Sequence, residues 1–434
     1  MELIIGNAPS RRLLWRAPRI RPNLSPAGRR WCASASTAVL LLAAGWPAAA
    51  QEYPTPPATS AGDRIAISGQ VSATVATTDA GYYDYSSYAD NLLRRLQFDL
   101  SAACRVTTRL YLIGDLRAEG ASTSGSWRLR PYAAFVRLRP WPRRAFDVQA
   151  GIIPPVFGSF SRRAYARNDP LIGFPLAYQY LTSLRADAVP ASADDLLVAR
   201  GRGWRPSYGT EYTANGPGLP VIDGLHNQVG VEVHANEGQM VEASAAVTSG
   251  SLSVPSGGFA QAGRQVSGRI AVRPVVGMVL GLSGSRGVFL ARSVTAEYGT
   301  SPDGVQSAIG FDAEFSRGHW LVRTEGVVSR WTLPPIAAPF ITSPLGAFSV
   351  SVEGRYRLRP GLDVAARVDH LGFSEISGTS AAMTWDAPVH RLEVGIAYSP
   401  LRRLTAKVAW QENWRDTSFT PREGLLAVQM IAWF

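Results

Sequence analysis

The last eleven residues, Gly424 to Phe434, read GLLAVQMIAWF. Leu426, Val428, Met430, Ala432 and Phe434 fall on one parity, so an extended strand here has one wholly apolar face. A chain that ends on such a strand must put that face somewhere. In a soluble fold it is a sticky edge or the buried last strand of a sandwich. In a closed membrane barrel it pairs on both sides, and its apolar face meets lipid.

The rest of the chain favours the barrel. Before Gln51 stand seven arginines (Arg11, Arg12, Arg16, Arg19, Arg21, Arg29, Arg30), an apolar run from Ala38 to Trp46, and Ala48, Ala49 and Ala50. A basic stretch, a short apolar core and a small-residue end predict a secretory signal peptide over 1–50, cleaved after Ala50. The apolar run is too short to span a bilayer. The full chain carries 44 basic and 33 acidic residues; removing the seven arginines and Glu2 leaves 37 against 32, a net charge of +5. More than half of the basicity belongs to the leader, so the high pI says little about nucleic acid, and no nucleic-acid partner is expected. Only Cys104 lies beyond the leader, which excludes an intrachain disulfide.

From Asp63 onward neither an amphipathic helix pattern nor an apolar run long enough for a membrane helix occurs. Alternation recurs instead. Ile65, Ile67, Val71 and Val75 oppose Ser68, Gln70, Ser72 and Thr74; Leu96, Phe98, Leu100 and Ala102 oppose Arg95, Gln97, Asp99 and Ser101. Segments of about ten residues with this alternation are what a transmembrane barrel requires. Residues 127–139 change parity at Pro131, which predicts a bulge there. After Ile153 the alternation stops, and it resumes at Leu225. Eleven further strands are then predicted, near 225–235, 239–250, 263–273, 276–286, 305–316, 319–331, 346–359, 362–374, 389–399, 402–414 and 424–434. With the five before the interruption they make sixteen. Short connections alternate with longer ones, the rim asymmetry of a membrane barrel. Sixteen strands enclose an aqueous lumen.

A final strand that ends in Phe, with apolar residues at alternate positions before it, resembles that of Gram-negative outer-membrane β-barrel proteins. The resemblance implies outer-membrane lipid around the wall and barrel-assembly machinery that reads the ending, with Phe434, Trp433 and Met430 as the signal. In size and pattern the chain resembles porins, in which the third extracellular loop folds into the lumen and forms the constriction. That loop would be 154–224. Its text PPVFGSFSRRAYARNDPLIGFPLAYQY resembles, loosely, the region of phosphate-selective porins where a strand ends in a Pro/Phe/Gly turn and enters a basic loop. Those porins are rich in lumenal Lys as well as Arg; this chain has a single lysine, Lys407. The expected architecture is therefore an all-β, transmembrane antiparallel barrel over 63–434, behind a periplasmic lead-in over 51–62.

Within the loop, Arg162, Arg163, Arg167 and Arg185 stand against Asp169, interleaved with aromatics such as Tyr165. Guanidinium groups stay charged and bind carboxylate or phosphate bidentately, which suits an anion-reading constriction. A solvated surface loop with an aromatic cluster is the plainer reading. On the wall, Arg109, Arg117, Arg355, Arg357, Arg367, Glu353 and Asp363 are expected to face the lumen, with Arg95, Arg269, Arg273, Arg391, Arg403 and Lys407 set against Asp99, Asp115, Glu119, Glu232, Asp312, Glu314, Glu325 and Glu393. These charges either form a transverse field or pair across strands and stiffen the wall. The five histidines are scattered without metal spacing, and neither a catalytic constellation nor a phosphate-binding glycine motif emerges, so no metal or cofactor is expected. The sequence reads as a porin for small hydrophilic or anionic solutes, modestly anion-preferring. By the resemblance it is a homotrimer, with small outward residues Gly69, Ala73, Gly114 and Ala118 permitting close wall contact. A barrel enzyme of the lipase or protease type and a plugged structural or adhesive barrel remain the alternatives.

Overall fold

A computed structural model describes residues 64–84, 93, 95–121, 127–141, 145–161, 165–208, 217–237, 240–254, 263–298 and 304–434. The leader and the lead-in lie outside the described residues, as do Arg162 and Arg163. Sixteen antiparallel strands close into one barrel. In chain order these are β1 (Ile65–Ala76), β2 (Arg95–Arg105), β3 (Leu110–Ala121), β4 (Trp127–Leu138), β5 (Ala145–Ile153), β6 (Gln228–Glu237), β7 (Val241–Ser249), β8 (Arg264–Val272), β9 (Met278–Val288), β10 (Val305–Arg317), β11 (Trp320–Trp331), β12 (Leu345–Arg359) and β13 (Leu362–Phe373). A small hairpin, β14 (Glu375–Ser377) with β15 (Ala382–Thr384), stands apart; β16 (Val389–Leu401), β17 (Leu404–Arg415) and β18 (Arg422–Trp433) complete the wall. Each barrel strand pairs with its neighbour in sequence, and β1 closes on β18 with Gln70 opposite Trp433 and Ala76 opposite Ala427. Full closure leaves no edge strand, which is why the apolar ending needs no other cover.

The alternation read from the sequence is the alternation of the wall. On β12, Phe348, Val350 and Val352 are exposed on the outer face, whereas Ser349, Ser351 and Glu353 are buried on the inner one. On β18, Leu426, Val428 and Met430 face out. Facing lipid, these side chains meet an apolar solvent; inward polar groups meet water or one another. The parity change in β4 resolves as expected: Asp115 pairs with Ala133 and Leu116 with Pro131, so Tyr132 is an extra residue between them. The bulge keeps Leu129, Val136 and Leu138 outside and Phe135 inside.

Two boundaries that bear on the lumen wall, and one outer-wall position, differ from expectation. The turn before β3 runs to Arg109, because the Thr107 hydroxyl accepts the N–H groups of Arg109 at 3.2 Å and Leu110 at 3.0 Å. Arg109 is thus an exposed turn residue and not part of the lumen wall. The turn expected at Pro400 and Leu401 lies at Arg402 and Arg403 after a register shift between Tyr398 and Leu401, which takes Arg403 out of the wall. Gly69, expected as bare outer wall, is covered by the ring of Phe434.

Candidate functional site

The interruption between β5 and β6 covers residues 154–227 and carries two short helices, α1 (Leu176–Gln179) and α2 (Ala193–Val198). Its backbone and side chains are hydrogen-bonded to side chains on at least eight wall strands, Gln306 of β10 among them with a bond to the Val221 carbonyl at 2.8 Å, all on the parity opposite the lipid-facing residues. From β9, the Ser283 hydroxyl accepts the Gly158 N–H at 3.0 Å. From β11, Glu325 accepts the Phe160 N–H at 3.2 Å, the Ser159 hydroxyl at 3.3 Å, and the Tyr178 hydroxyl. Gly158 has φ +61, and a Cβ there would stand 2.0 Å from Glu325 Oε1, so only glycine lets the backbone approach that carboxylate.

Farther along, the Tyr165 hydroxyl donates to Asp115 of β3. Lys407 of β17 donates from Nζ to three carbonyls, Ala166 at 2.6 Å, Asp169 at 2.5 Å and Leu171 at 3.1 Å. Glu393 of β16 accepts the N–H groups of Ile172 at 3.2 Å and Gly173 at 2.9 Å, while Arg367 of β13 donates to the Gly173 carbonyl at 2.7 Å. Arg130 of β4 reaches the Leu225 carbonyl at 3.0 Å. Outside the wall, the buried carboxylate of Asp386 accepts the N–H groups of Ser183 and Gly201, each at 2.7 Å. Burial pushes the Asp386 carboxyl upward in pKa, and these backbone donors pull against that rise.

An apolar cluster lies beside these polar anchors. Phe157, Phe160, Phe174, Leu176, Tyr178 and Leu184 of the segment pack in one cluster with Ala308, Val327, Trp331, Leu345, Leu371 and Val389 from the inner faces of β10, β11, β12, β13 and β16. On this arc the inner faces carry apolar residues beside their polar ones. The apolar positions occur near the ends of the strands that lead into the longer connections, where they extend the cluster formed by the segment.

The loop residues singled out from the sequence part company here. Arg167 is exposed. Arg185 is not available to read anions: its Nε and Nη2 each bond a carboxylate oxygen of Asp187 at 2.8 Å, and Nη1 donates to the Pro206 carbonyl at 3.2 Å. The bidentate contact with Asp187 raises its pKa further. Asp169 is buried, with a carboxylate oxygen accepting the Leu171 N–H at 3.1 Å. Tyr165 packs edge-on against Tyr132 with centroids 5.6 Å apart, and the Arg117 guanidinium lies 3.5 Å from the Tyr132 ring.

The wall charges pair. Arg117 meets Asp99 at 2.5 Å, Arg269 meets Asp312 at 2.6 Å, and Arg323 meets Glu314 at 2.7 Å and Glu353 at 3.4 Å. Arg95 and Arg130 share Glu119, and Arg391 meets Asp84 at 3.2 Å. Arg367 binds Glu393 at 2.5 Å, Asp369 at 3.1 Å and Glu353 at 3.5 Å. Arg357, toward the short-connection rim, is exposed and stands 3.6 Å from Asp363; Arg355 is half-buried. Of the two uses of wall charge open from the sequence, pairing across strands describes these residues. At the chain end, Met430 faces out, Trp433 donates its N–H to the Arg403 carbonyl at 3.1 Å, and Phe434 bonds Gly69.

Sequence reasoning placed Lys407, Glu325, Asp115 and Glu393 on the inner face but missed that they anchor the segment. One signal was present. A chain that uses arginine for every other basic side chain keeps one lysine, and an ammonium is a compact three-donor charge suited to three converging carbonyls rather than to a planar carboxylate.

No family model matches this sequence, and no curated protein matches it. Solved structures share its fold. Salmonella typhi OmpF, solved in complex with daunomycin, aligns with TM-score 0.53 and 13% identity over 85% of this chain and 97% of its own. An anion-selective porin from Comamonas acidovorans aligns with TM-score 0.51 and 10% identity, over 85% and 99%. The outer membrane channel DcaP of Acinetobacter baumannii aligns with TM-score 0.50 and 10% identity, over 85% and 97%. At these identities the likeness is one of fold.

Proposed function

We propose that this chain is an outer-membrane porin through which small hydrophilic solutes diffuse down their gradients, with segment 154–227 narrowing the lumen. The observation that carries the reading is the wall: sixteen closed strands with apolar residues outside and polar, largely charged ones inside. A barrel of this strand number has room for an aqueous path, and its outer face suits lipid. The polar anchors on at least eight strands support a segment held across the lumen.

The pore prefers anions modestly. With many wall charges paired and Arg185 engaged by Asp187, the exposed Arg167 can act on passing solutes, and we assign the same role to its sequence neighbours Arg162 and Arg163. Fixed charge near a narrow opening with low-dielectric walls dominates the local potential. Conductance of the purified protein in a planar bilayer tests the channel, and the zero-current potential in a KCl gradient tests the preference. Replacing Arg162, Arg163 and Arg167 by Ser should move that potential toward cation selectivity; an unchanged potential removes the loop arginines from the current path.

A second reading, a barrel plugged by its own loop, is favoured by the apolar cluster that joins the segment to five strands. Absence of ion-conducting steps would select it. We also propose assembly as a homotrimer through apolar outer wall, supported by Ala73, Gly114 and Ala118; a Cβ on Gly114 would meet nothing within 4 Å. Barrel-assembly machinery would read Phe434, Trp433 and Met430. Mass measurement in mild detergent that finds only monomer sinks the trimer.

A further inference from the structure

The outer face of β8 to β12 is apolar apart from Thr324 on β11 and its two ends. Its outward positions near the short connections end in Arg317, and those near the longer connections carry three exposed arginines. Arg264 opens β8 in step with Val266 and Ile270; Arg286 lies on β9 in step with Leu282; Arg330 lies on β11 in step with Val328. Register makes them a patch. Arg286 and Arg330 both stand opposite Ser307 of β10, and Arg286 also stands opposite Val266, two residues from Arg264. Two strand spacings put Arg286 and Arg330 about 10 Å apart, with only a serine side chain between them.

Among the described residues, none of the three makes an ion pair, and the outward positions of these five strands hold no Asp or Glu. Arg422, an outward arginine elsewhere on the same rim, is bound by Glu412. A cation on a lipid-facing position costs about 2–4 kcal/mol at the bilayer midplane and about 0–1 kcal/mol at the interface. Three such cations, without a counter-charge among the described residues, suit the interface level and can take anions from outside the chain.

We propose that Arg264, Arg286 and Arg330, with the Ser307 hydroxyl, form a docking site for the phosphate groups of a phosphorylated glycolipid in the leaflet on the long-connection side. Guanidinium binds phosphate oxygens in bidentate fashion, and the lipid-facing parity presents these groups to headgroups rather than to lumenal solutes. The inference rests on the outer-membrane reading above, and its test is independent of conductance.

Full-length protein in dodecylmaltoside micelles is titrated with diphosphoryl lipid A and with its dephosphorylated form, and retained lipid is read by native mass spectrometry. The wild type should retain the diphosphoryl form preferentially. Replacing the three arginines by Ser should weaken retention about tenfold or more, the loss of at least one charge-assisted contact. Replacing them by Lys, which keeps the charge but not the bidentate contact, should restore retention only in part, and circular dichroism reports whether each variant is folded. Equal retention of both lipid forms, unchanged retention in the Ser variant, or competition by millimolar inorganic phosphate as effective as by lipid overturns the site. A barrel that conducts nothing yet retains the phosphorylated lipid through these arginines sinks the porin and leaves the site standing. One that conducts but shows no preference does the reverse.

Discussion

The ring of Phe434 lies over Gly69 so closely that a Cβ there would stand 2.4 Å from Cε1 and 2.5 Å from Cζ. The same two residues share backbone bonds, with the Phe434 N–H to the Gly69 carbonyl at 3.0 Å and the reverse at 3.4 Å. They sit on the seam where β1 meets β18, so the last aromatic and an early glycine complete the closure together. Gly69→Val should force the ring off the seam. Overpacking of this kind costs about 1–3 kcal/mol. Urea unfolding followed by tryptophan fluorescence should show a lower midpoint, with Gly69→Ala in between; a midpoint equal to wild type for the Val variant would falsify the closure role.

Strand positions were legible because the requirement behind them is local: each residue of a membrane wall faces either lipid or lumen, and period two records which. Even the break at Pro131 could be read, since an extra residue is the one way to restore facing. What could not be read depends on distant register. Arg367 meets Glu353 and Glu393 because those residues stand directly opposite it on β12 and β16. Nothing near Arg367 in the sequence names them. The segment is legible as an interruption, but its anchors come from at least eight strands, and its helices, at four and six residues, are too short to leave a periodic trace. Set against Asp169 alone, Arg185 reads as free, yet its bidentate partner Asp187 lies two residues away.

Lys407 should govern the order of the segment without governing the barrel. Its ammonium is buried and serves three carbonyls from Ala166 to Leu171. Hydrogen bonds to a charged group contribute about 1.5–3 kcal/mol each at most, and buried carbonyls left unserved cost about 1–3 kcal/mol. Lys407→Met keeps the aliphatic volume and removes the donors. Amide hydrogen exchange over 166–173 should speed markedly while strand protection is kept. Lys407→Arg should rescue incompletely, because a planar fork does not match the three acceptors. Unchanged exchange in the Met variant would mean that Glu393 and Arg367 suffice to hold this turn.

The connection after β1 should tighten as pH falls. Asp79 accepts the N–H groups of Tyr83 at 2.9 Å and Asp84 at 2.8 Å. Burial, and then repulsion from Asp84, raises its pKa from 3.8 to about 7. A carboxyl whose folded-state pKa is raised binds its proton more tightly when folded, so the folded turn gains stability as pH drops through about 7, and the gain is complete below the unfolded value of 3.8. At higher pH the ionised form carries the full desolvation cost. Protection of the Tyr83 and Asp84 amides, corrected for intrinsic exchange, should therefore increase from pH 8 toward pH 5, and about evenly with the titration of one group. Asp79→Asn should flatten that dependence. A slope that persists in the Asn variant assigns the effect to another acid of the cluster, such as Asp84.

The largest single cost should follow loss of Arg367. Its guanidinium is fully buried, and it meets three carboxylates and one carbonyl: Glu393 at 2.5 Å, Asp369 at 3.1 Å, Glu353 at 3.5 Å and the Gly173 carbonyl at 2.7 Å. Two of those acids flank it on adjacent strands at the same level, so one cation compensates a row of three strands and also ties the segment to the wall. Forming such a buried cluster contributes little net stability, because desolvation offsets attraction; removing one partner is costly, because the remaining charges stay buried and uncompensated. Arg367→Leu should therefore destabilise by about 3–5 kcal/mol, whereas Glu393→Gln, which removes charge from an acid-rich cluster, should cost less. Combining the two should cost less than their sum, since each acid neutralised leaves less charge for the missing guanidinium to balance. Urea unfolding of the two single variants and the double variant gives the coupling directly. Simple additivity, or an Arg367→Leu variant within about 0.5 kcal/mol of wild type, would show that Lys407 and Arg391 already balance these carboxylates and that the guanidinium serves only the segment.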